Sequence, residues 1–573
     1  MHISTFALIA TAGIASCASN AAGAPPVVNP GGVLNPASYA VDGTPNSGIA
    51  QGSLFVVFGT DLAAPGLQVA SYPLPTKFQG TSIRVTVNGV TTLSFVVYVS
   101  PTQVAAILPS TTSAGDGTLV LTYNSVESAP VRIRVETSRF GLFTRNSAGT
   151  GPAIVQFYDR GGNIHLNSHT DAAQPGQTAV LWGAGLGPVS RNDADVPTVE
   201  DLKTDIDVLV GNQHARVIYR GRSGCCAGVD EVLFEVPQGV EGCFVPVAVR
   251  AGTAYSNFTS MSIASQSAIC SDSTGFSTSD LRDLARAEDF LPGSVELFRA
   301  TITLRDPSTN QATSATQDVG AAGFYRYNSQ AANAAQGVLG IALRGVSGLA
   351  PLGSCNMYPF SDLGDSPFPD PIQPGALNAG ETIHVAGPHG MKNLAAGQAG
   401  TYNGQLGGDG VLGFAGEEGS SDAVFLDPGV YTVDNGSGSS QVGPFRGTIS
   451  VSKPVTWVNG DQLTNIDRNL PLTIKWTGGE PASEFIVIAG ISFNSVANAG
   501  RVFVCTEKAD AGTFTVPAHV LASLPAAAAT DQLSGLLWIG NVSFLQQNRF
   551  IASGLSAGYL YYAMFQFQNA LFR

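Results

Sequence analysis

Apolar residues along this chain come in short runs bounded by glycine, and one such phrase is written twice. QGSLFVVFGTDL occupies residues 51–62, and PGQTAVLWGAGL occupies residues 175–186. In both copies one glycine opens the apolar run, a second closes it seven residues later, and leucine ends the phrase. An internal repeat of this kind indicates duplicated modules. We interpret Gly59 and Gly183 as sharp turns, where glycine reaches a positive φ without steric cost.

Three further segments recur in the same order after each phrase: residues 83–89 with 206–211, 104–109 with 232–237, and 128–135 with 256–263. Residues 83–87 alternate apolar and polar side chains, which predicts a half-buried strand. Residues 54–58 are apolar throughout, as in a strand buried on both faces. Pro109 and Pro237 end their strands because proline cannot donate to a continuing ladder. Short strands separated by turns predict immunoglobulin-like sandwiches.

Composition extends this prediction to the whole chain of 573 residues, which has 67 glycines, 33 prolines and 12% charged residues. Few charged helix formers and many turn residues disfavour helical bundles. We predict an all-β protein of tandem immunoglobulin-like β-sandwich domains with a short helical linker. Its expected parts are a signal peptide at 1–21, Ig-like β modules at 22–137 and 138–264, a linker at 265–292, and β-sandwich domains at 293–452 and 453–573. The linker helix is expected at residues 279–287, capped by Ser279 or Asp280.

The amino terminus predicts export. Residues 3–15 form an apolar run too short to span a bilayer, and small residues follow it. Ser19 and Ala21 suit cleavage before Ala22. Alternatively, residues 14–17 resemble a bacterial lipobox, in which Cys17 would be lipidated and become the first mature residue. We therefore expect a secreted or cell-envelope protein, extracellular, periplasmic or tethered to the outer membrane, with no transmembrane span.

Four cysteines cluster at the end of the second module: Cys225, Cys226, Cys243 and Cys270. An even count in an exported β module predicts two disulfides. Because Cys225 and Cys226 are adjacent, we expect one of them to reach Cys243 and the other Cys270. Cys355 and Cys505 either pair across domains or stay free. No nearby histidine completes a usual zinc spacing, so we predict neither a metal nor a cofactor.

Charge and motif content argue against several functions. The formal net charge of −14 disfavours nucleic acid as a partner. His165 and His169 lie four residues apart in a segment with loop composition, and His384 and His389 flank a Gly-Pro turn, so neither pair predicts a metal site. The sequence around Ser556 matches a nucleophile elbow, but neither the acid nor the histidine of a hydrolase follows it. We predict that the chain is not an enzyme and has no catalytic residues.

Aromatic side chains are the better lead to binding, because exposed rings stack on sugars. The tryptophans are Trp182, Trp457, Trp476 and Trp538. Trp182 and Trp476 lie in apolar strands and are expected in the core, whereas Tyr358 and Tyr402 are expected in loops. Some turns hold aspartates that could bind calcium but lack a calcium-loop signature: Asp61, Asp362, Asp365 and Asp370.

Residues 29–264 carry motifs that resemble a known family: VLNPASY (33–39), GSLFVVFGTDLA (52–63), YVSPTQ (98–103), PGQTAVLWGAGLGPV (175–189) and GCCAGVD (224–230). They look like the Solibacter carboxy-terminal domain, an uncharacterised domain of acidobacterial secreted proteins. The repeated phrase is similar to IPT/TIG immunoglobulin-like modules. Segments at 377–390, 425–436, 455–468 and 472–479 also look like sequences of exported proteins from that bacterial group. The resemblance implies a sandwich fold and export, and brings no established activity.

We therefore expect an exported, non-enzymatic multidomain β protein that serves adhesion, ligand binding or structural spacing at the cell envelope. Its expected partner is an unidentified extracellular protein or polysaccharide. The alternative is a carbohydrate-binding accessory or a secreted polysaccharide-active enzyme, since the spacing of paired catalytic acids is spatial and invisible in sequence.

Overall fold

The computed structural model describes residues 25–286, 289–306, 309, 311–328, 349–360, 375–397, 400–409, 421–528 and 534–573. The predicted signal peptide with Cys17 lies outside these residues, as do Asp362, Asp365 and Asp370. Within them the chain forms β-sheets with a few short helices, so the all-β prediction is confirmed.

The first module is a two-sheet sandwich. Its strands are β1 Val27–Leu34, β2 Ile49–Ala50, β3 Leu54–Thr60, β4 Gln68–Val69, β5 Lys77–Phe78, β6 Thr81–Val87, β7 Val90–Leu93, β8 Phe95–Val99, β9 Gln103–Ile107, β10 Gly115–Tyr123, β11 Val126–Glu127 and β12 Val131–Glu136. One sheet has the order β1-β3-β9-β8-β4 and the other β2-β12-β10-β6-β5. Alternation along β6 buries Ile83 and Val85 between the sheets, as predicted.

The second module repeats this plan. Its strands are β13 Gly141–Leu142, β14 Val155–Tyr158, β15 Ile164–Leu166, β16 Thr178–Ala184, β17 Glu200–Asp201, β18 Ile206–Val210, β19 Gln213–Ala215, β20 Val217–Arg222, β21 Asp230–Glu235, β22 Gly242–Ala251, β23 Ala254–Tyr255 and β24 Thr259–Ile263. In the first module β3 pairs antiparallel with β9, and in the second β16 pairs antiparallel with β21. The repeated segments therefore occupy matching places in two sandwiches.

The closing glycines of the repeat have a different role from the one predicted. Gly59 and Gly183 lie inside β3 and β16 rather than in turns, and neither has a positive φ. A Cβ on Gly59 would lie 2.1 Å from the carbonyl oxygen of Val27, and one on Gly183 would lie 2.2 Å from that of Gly141. Both glycines therefore let a neighbouring strand approach closely. The opening glycines, Gly52 and Gly176, are the ones with a positive φ.

The predicted linker helix is present as α1, Thr278–Arg286. Its cap is Ser277 rather than Ser279 or Asp280. The Ser277 hydroxyl accepts the backbone N–H of Asp280 at 3.1 Å, and the Asp280 carboxylate accepts the N–H of Ser277 at 3.1 Å. This reciprocal pair is a capping box, which satisfies free donors at the start of the helix.

The rest of the described chain forms 21 strands: β25 Asp289–Phe290, β26 Pro292–Arg305, β27 Ala312–Asn328, β28 Ser354–Phe360, β29 Gly375–Ala376, β30 Thr382–Gly387, β31 Gly390–Ala396, β32 Thr401–Asp409, β33 Ser421–Asp422, β34 Gly429–Asp434, β35 Arg446–Val451, β36 Thr456–Trp457, β37 Asn465–Ile466, β38 Leu472–Thr477, β39 Glu484–Asn494, β40 Ala499–Lys508, β41 Thr513–Val516, β42 Gly535–Ser543, β43 Arg549–Phe550, β44 Ala557–Asn569 and β45 Leu571–Phe572. The helix α2 spans Ala518–Ala522, and 3-10 turns span Gly460–Gln462, Ala509–Ala511 and Leu545–Gln547.

One sheet runs through most of this region, in the order β28-β40-β39-β42-β44-β26-β27-β32-β31-β30-β34-β35. Strand β26 pairs in parallel with β44, and β28 pairs antiparallel with β40. The sheet thus crosses residue 452, where the sequence predicted a boundary between two sandwiches. Strand β44, near the end of the chain, lies in the middle of the sheet between β42 and β26.

Within the described residues, three buried apolar clusters pack against this sheet, and one of them, around Cys243 and Cys270, is shared with the second module. Of the other two, the first lies among β26, β27, β30, β32, β34, β35 and β44, and it includes Phe324, Tyr431 and Met564. The second lies between β39, β40 and β42 and the small sheet of β36, β38 and β41, and it includes Trp476 and Phe514. Strand β44 contributes to the first core, and Ala570 and Phe572, which follow it, belong to the second, so the end of the chain joins the two halves of this region.

Polar contacts, two of them buried, hold the modules together. Arg222 of the second module donates to the backbone carbonyl of Gly52 in the first at 2.7 Å. The Ser110 hydroxyl of the first module donates to Asp193 of the second at 2.8 Å. Arg501 of the carboxy-terminal region donates to the side chain of Asn46. The modules are therefore packed side by side as well as joined in sequence.

Candidate functional site

All six cysteines of the described chain form disulfides: Cys225–Cys226, Cys243–Cys270 and Cys355–Cys505. The predicted pairing of Cys225 and Cys226 with Cys243 and Cys270 is therefore wrong. Cys243 and Cys270 belong to a buried apolar cluster between the second module and the carboxy-terminal sheet. Cys225 and Cys226 instead lie exposed in the loop between β20 and β21, away from those partners, and bond to each other.

The exposed Cys225–Cys226 bond is expected to be reduced before the other two. A reductant must reach the sulfur atom, and Cys243, Cys270, Cys355 and Cys505 are at most 2% exposed. A titration with a phosphine reductant, followed by alkylation and peptide mapping, should label Cys225 and Cys226 first while the protein stays folded. Simultaneous labelling of all six would contradict this order.

His165, His384 and His389, for which the sequence predicted no metal site, each contact aspartates of their own. His165 is half-exposed between two carboxylates, with Nδ1 2.9 Å from Asp171 and Nε2 3.3 Å from Asp159. These hydrogen bonds, that of Asp171 foremost, raise the pKa of His165. His384 and His389 each contact a single aspartate. Nowhere in the described ranges do three His, Cys, Asp or Glu side chains converge on a possible metal position.

His169 is buried edge-on against Phe244, with ring centroids 4.8 Å apart. Burial lowers its pKa from 6.5 to about 4. The unfolded chain therefore binds a proton between these values that the folded chain does not, so stability falls as pH drops through this window. We expect His169 to contribute a loss of about 3 kcal/mol between pH 7 and pH 4. His519, whose pKa burial also lowers to about 4, should add to it.

Calorimetric melting of the wild type and of His169→Gln at pH 7 and pH 5 would check this prediction. The variant starts less stable, but its melting temperature should fall less between the two pH values. An equal fall in both proteins would show that the imidazole does not titrate on unfolding.

Most of the aromatic side chains considered as binding candidates are buried or hydrogen-bonded rather than exposed in loops. Trp476 is 2% exposed and its indole N–H donates to the carbonyl of Ala509, which confirms its place in the core. Tyr402 lies buried in β32, not in a loop, and its hydroxyl donates to the carbonyl of Gly380. Tyr358 also lies in a strand, β28. Both loop predictions are therefore wrong.

Trp538 belongs to a row of four half-buried rings on one face of the large sheet. The centroid of Trp538 lies 5.5 Å from that of Phe567, which lies 5.9 Å from that of Phe565, which lies 5.7 Å from that of Phe298. The rings come from the adjacent strands β42, β44 and β26. This aromatic row is one possible binding surface.

A cleft of about 310 Å³ opens on the opposite face of β44. The described residues that line it are Val430, Thr448, Ile449, Ser450, Ser483, Ser543, Gln547, Asn548 and Tyr562. They come from β34 and β35 on one side and from the segments around β39 and β42 on the other. The cleft therefore lies where the two halves of the carboxy-terminal region meet.

The buried carboxylate of Glu484 fixes one wall of this cleft. Glu484 is 1% exposed and accepts hydrogen bonds from the hydroxyls of Tyr562 and Ser452, and from the Asn541 amide at 2.9 Å. Its second oxygen accepts the N–H of Glu480 at 2.9 Å. Burial, together with the bond to Glu484, raises the pKa of Tyr562. Tyr562 therefore remains a protonated donor in a fixed orientation.

Sequence reasoning missed this cleft. Its polar residues are single serines, threonines and asparagines on strands and turns far apart in sequence, with no motif. The one signal was the aromatic run beginning at Tyr559, whose alternation sends Tyr562 to the cleft face and Phe565 to the other. Ser556, which matched a nucleophile elbow in sequence, lies just before β44, and its hydroxyl accepts the N–H of Leu291 at 3.1 Å.

No family model and no curated protein matches this chain. Among solved structures, the I9–I11 tandem of titin matches 67% of this chain and 89% of its own at 6% identity, with a TM-score of 0.12. Sidekick-1 immunoglobulin domains 1–5 match 90% of this chain and 97% of their own at 10% identity, with a TM-score of 0.11. The Bacteroides ovatus mixed-linkage glucan utilization protein SGBP-B, in complex with a mixed-linkage heptasaccharide, matches 82% and 90% at 9% identity, with a TM-score of 0.12.

Proposed function

We propose that this chain is an exported, non-catalytic binding protein of the cell envelope. Its two amino-terminal Ig-like modules support a carboxy-terminal β region that holds an extracellular ligand. The cleft beside Tyr562 carries this proposal, because its described lining offers hydroxyl and amide groups suited to binding and includes no charged residue or histidine. Buried contacts between modules, such as that of Arg222 with Gly52, favour a rigid support over a flexible string.

An assay of both binding and turnover distinguishes this proposal from the alternative, a polysaccharide-active enzyme. Purified residues 22–573 would be incubated with insoluble plant and bacterial polysaccharides and with envelope fractions. We expect retention of the protein on at least one material and no release of reducing sugar above a buffer control. Release of soluble product that grows with time and enzyme amount would overturn the non-catalytic proposal.

Export is tested separately. Alkaline phosphatase fused after residue 24 should become active, because that enzyme needs the oxidising envelope for its disulfides. Labelled palmitate on the wild type but not on Cys17→Ala would favour the lipid anchor, whereas a mature protein that begins at Ala22 would favour free secretion. An inactive fusion retained in the cytosol would refute export.

Among the residues described, neither helix is an apolar segment of membrane-spanning length. The disulfides Cys243–Cys270 and Cys355–Cys505 agree with an oxidising compartment, where such bonds form and persist. The acidobacterial secreted-protein resemblance of residues 29–264 supports the same location. Together they favour the envelope as the place where this protein meets its ligand.

A further inference from the structure

The chemistry of the cleft limits the class of ligand that can bind there, and this inference rests on the binding function proposed above. Among its described lining residues none carries a charge. A phosphate or carboxylate ligand would need Lys, Arg or a cluster of N–H donors, and a hard cation would need carboxylates. The ligand should therefore be neutral.

Three polar side chains in the cleft are available to such a ligand. In the part of the chain that the structure describes, the side chains of Thr448, Ser450 and Asn548 have no hydrogen-bond partner, and all three line the cleft. Thr448 and Ser450 lie two residues apart in β35, so they share a face. Two hydroxyls and one amide can together donate and accept several hydrogen bonds.

The remaining polar lining residues, Ser483, Ser543 and Gln547, already bond backbone groups, and the others are apolar or aromatic. Val430 contributes exposed aliphatic surface opposite Ser450, whereas Ile449 and Tyr562 are at most 2% exposed and belong to the core beneath the cleft. Tyr562 is held there by its bond to Glu484. A volume of about 310 Å³ lies at the lower end for ligand sites, which span roughly 300–1,000 Å³. A sugar presents hydroxyls at its edge and C–H groups on its face, and so complements both kinds of wall.

We propose that this cleft binds a neutral saccharide of one or two rings, either free or as the end of a longer neutral glycan. Thr448, Ser450 and Asn548 would bond its hydroxyls, and Val430, which is 62% exposed, would contact its apolar face. The aromatic row around Trp538 lies on the opposite face of β44, so the two candidate surfaces can be tested independently.

Isothermal titration of the purified mature chain with cellobiose, xylobiose, mannobiose, maltose and their hexasaccharides tests the proposal, with glucose 6-phosphate as an anionic comparison. We expect at least one neutral saccharide to bind and the phosphate not to bind. The double variant Ser450→Ala with Asn548→Ala should weaken binding by about tenfold or more, since two hydrogen bonds are lost.

Two further variants serve as controls. Thr432 lies opposite Thr448 on β34 without lining the cleft, so Thr432→Ala should leave binding unchanged, as should Trp538→Ala. Saccharide binding that survives the double variant, or that Trp538→Ala abolishes, would overturn the cleft proposal while the non-catalytic binding function stands. Absence of binding by every saccharide at millimolar concentration would also overturn it. Turnover of a saccharide would instead overturn the proposed function itself.

Discussion

Replacing Asp230 by Asn is expected to lower the free energy of unfolding by about 3–5 kcal/mol, because it leaves a buried guanidinium without its counter-charge. The Asp230 side chain is fully buried, and Arg222, 5% exposed, contacts it at 2.8 Å. The other Asp230 oxygen accepts the backbone N–H groups of Gly185 at 2.9 Å and Leu186 at 2.8 Å. An amide in this place would keep the shape but lose the charge.

Calorimetric or urea unfolding of the full chain would measure the change, with Glu235→Gln as the matched control. Glu235 pairs with Arg216 on the surface, where both side chains are well exposed, and such pairs contribute about 0–1 kcal/mol. Because Arg222 also bonds Gly52 of the first module, Asp230→Asn should make the junction of the modules more sensitive to proteolysis. If Asp230→Asn behaved like the control, the pair would not stabilise the fold.

The carboxy-terminal region uses the same arrangement a second time. Asp318 is fully buried, bonds Arg299 through both oxygens at 2.7 and 2.8 Å, and accepts the N–H groups of Phe425 and Leu426. In each case one buried aspartate binds an arginine side chain and also accepts hydrogen bonds from two successive backbone N–H groups of a loop. This arrangement cannot be predicted from sequence, since the loop that Asp318 holds lies 107 residues further along the chain.

Local patterns did predict the two Ig-like modules and the linker helix. Alternation over residues 83–87 placed Ile83 and Val85 in the core because side chains alternate across a strand. The repeated segments form strands that pair in the same order in both modules, since both copies must bury the same faces. The role of Gly59 was misjudged because strand proximity, unlike a turn, depends on a neighbour distant in sequence, here Val27.

Long-range pairing accounts for most of what the sequence could not predict. Strand β26 aligns with β44 over twelve residue pairs, from Pro292 with Ala557 to Thr303 with Gln568. Both strands are buried along most of their length, and burial indicates a strand inside the fold but not its partner. The cleft likewise depends on long-range contacts, because Tyr562 of β44 and Ser450 of β35, which both line it, lie far apart in sequence. No pattern within either segment indicates that these two residues line the same cleft.

Replacing Glu484 by Ala is expected to cost about 3 kcal/mol or more and to weaken the cleft as well. The substitution leaves the buried amide of Asn541 and the hydroxyl of Tyr562 without their acceptor, and each orphaned buried donor costs about 1–3 kcal/mol. Asn541 is fully buried, so water cannot easily replace the lost carboxylate. Tyr562 would lose its fixed orientation, so any ligand of the cleft should bind less tightly.

Urea unfolding and the saccharide titration on one preparation would separate these two effects. Glu381→Ala provides the control, because Glu381 is an exposed glutamate immediately before β30 and its loss should change stability by less than about 0.5 kcal/mol. Tyr562→Phe removes the hydroxyl but keeps the ring, so it should cost less stability than Glu484→Ala. A Glu484→Ala protein with wild-type stability would mean that the carboxylate does not hold the two halves of the sheet together, because its donors would then have found other acceptors.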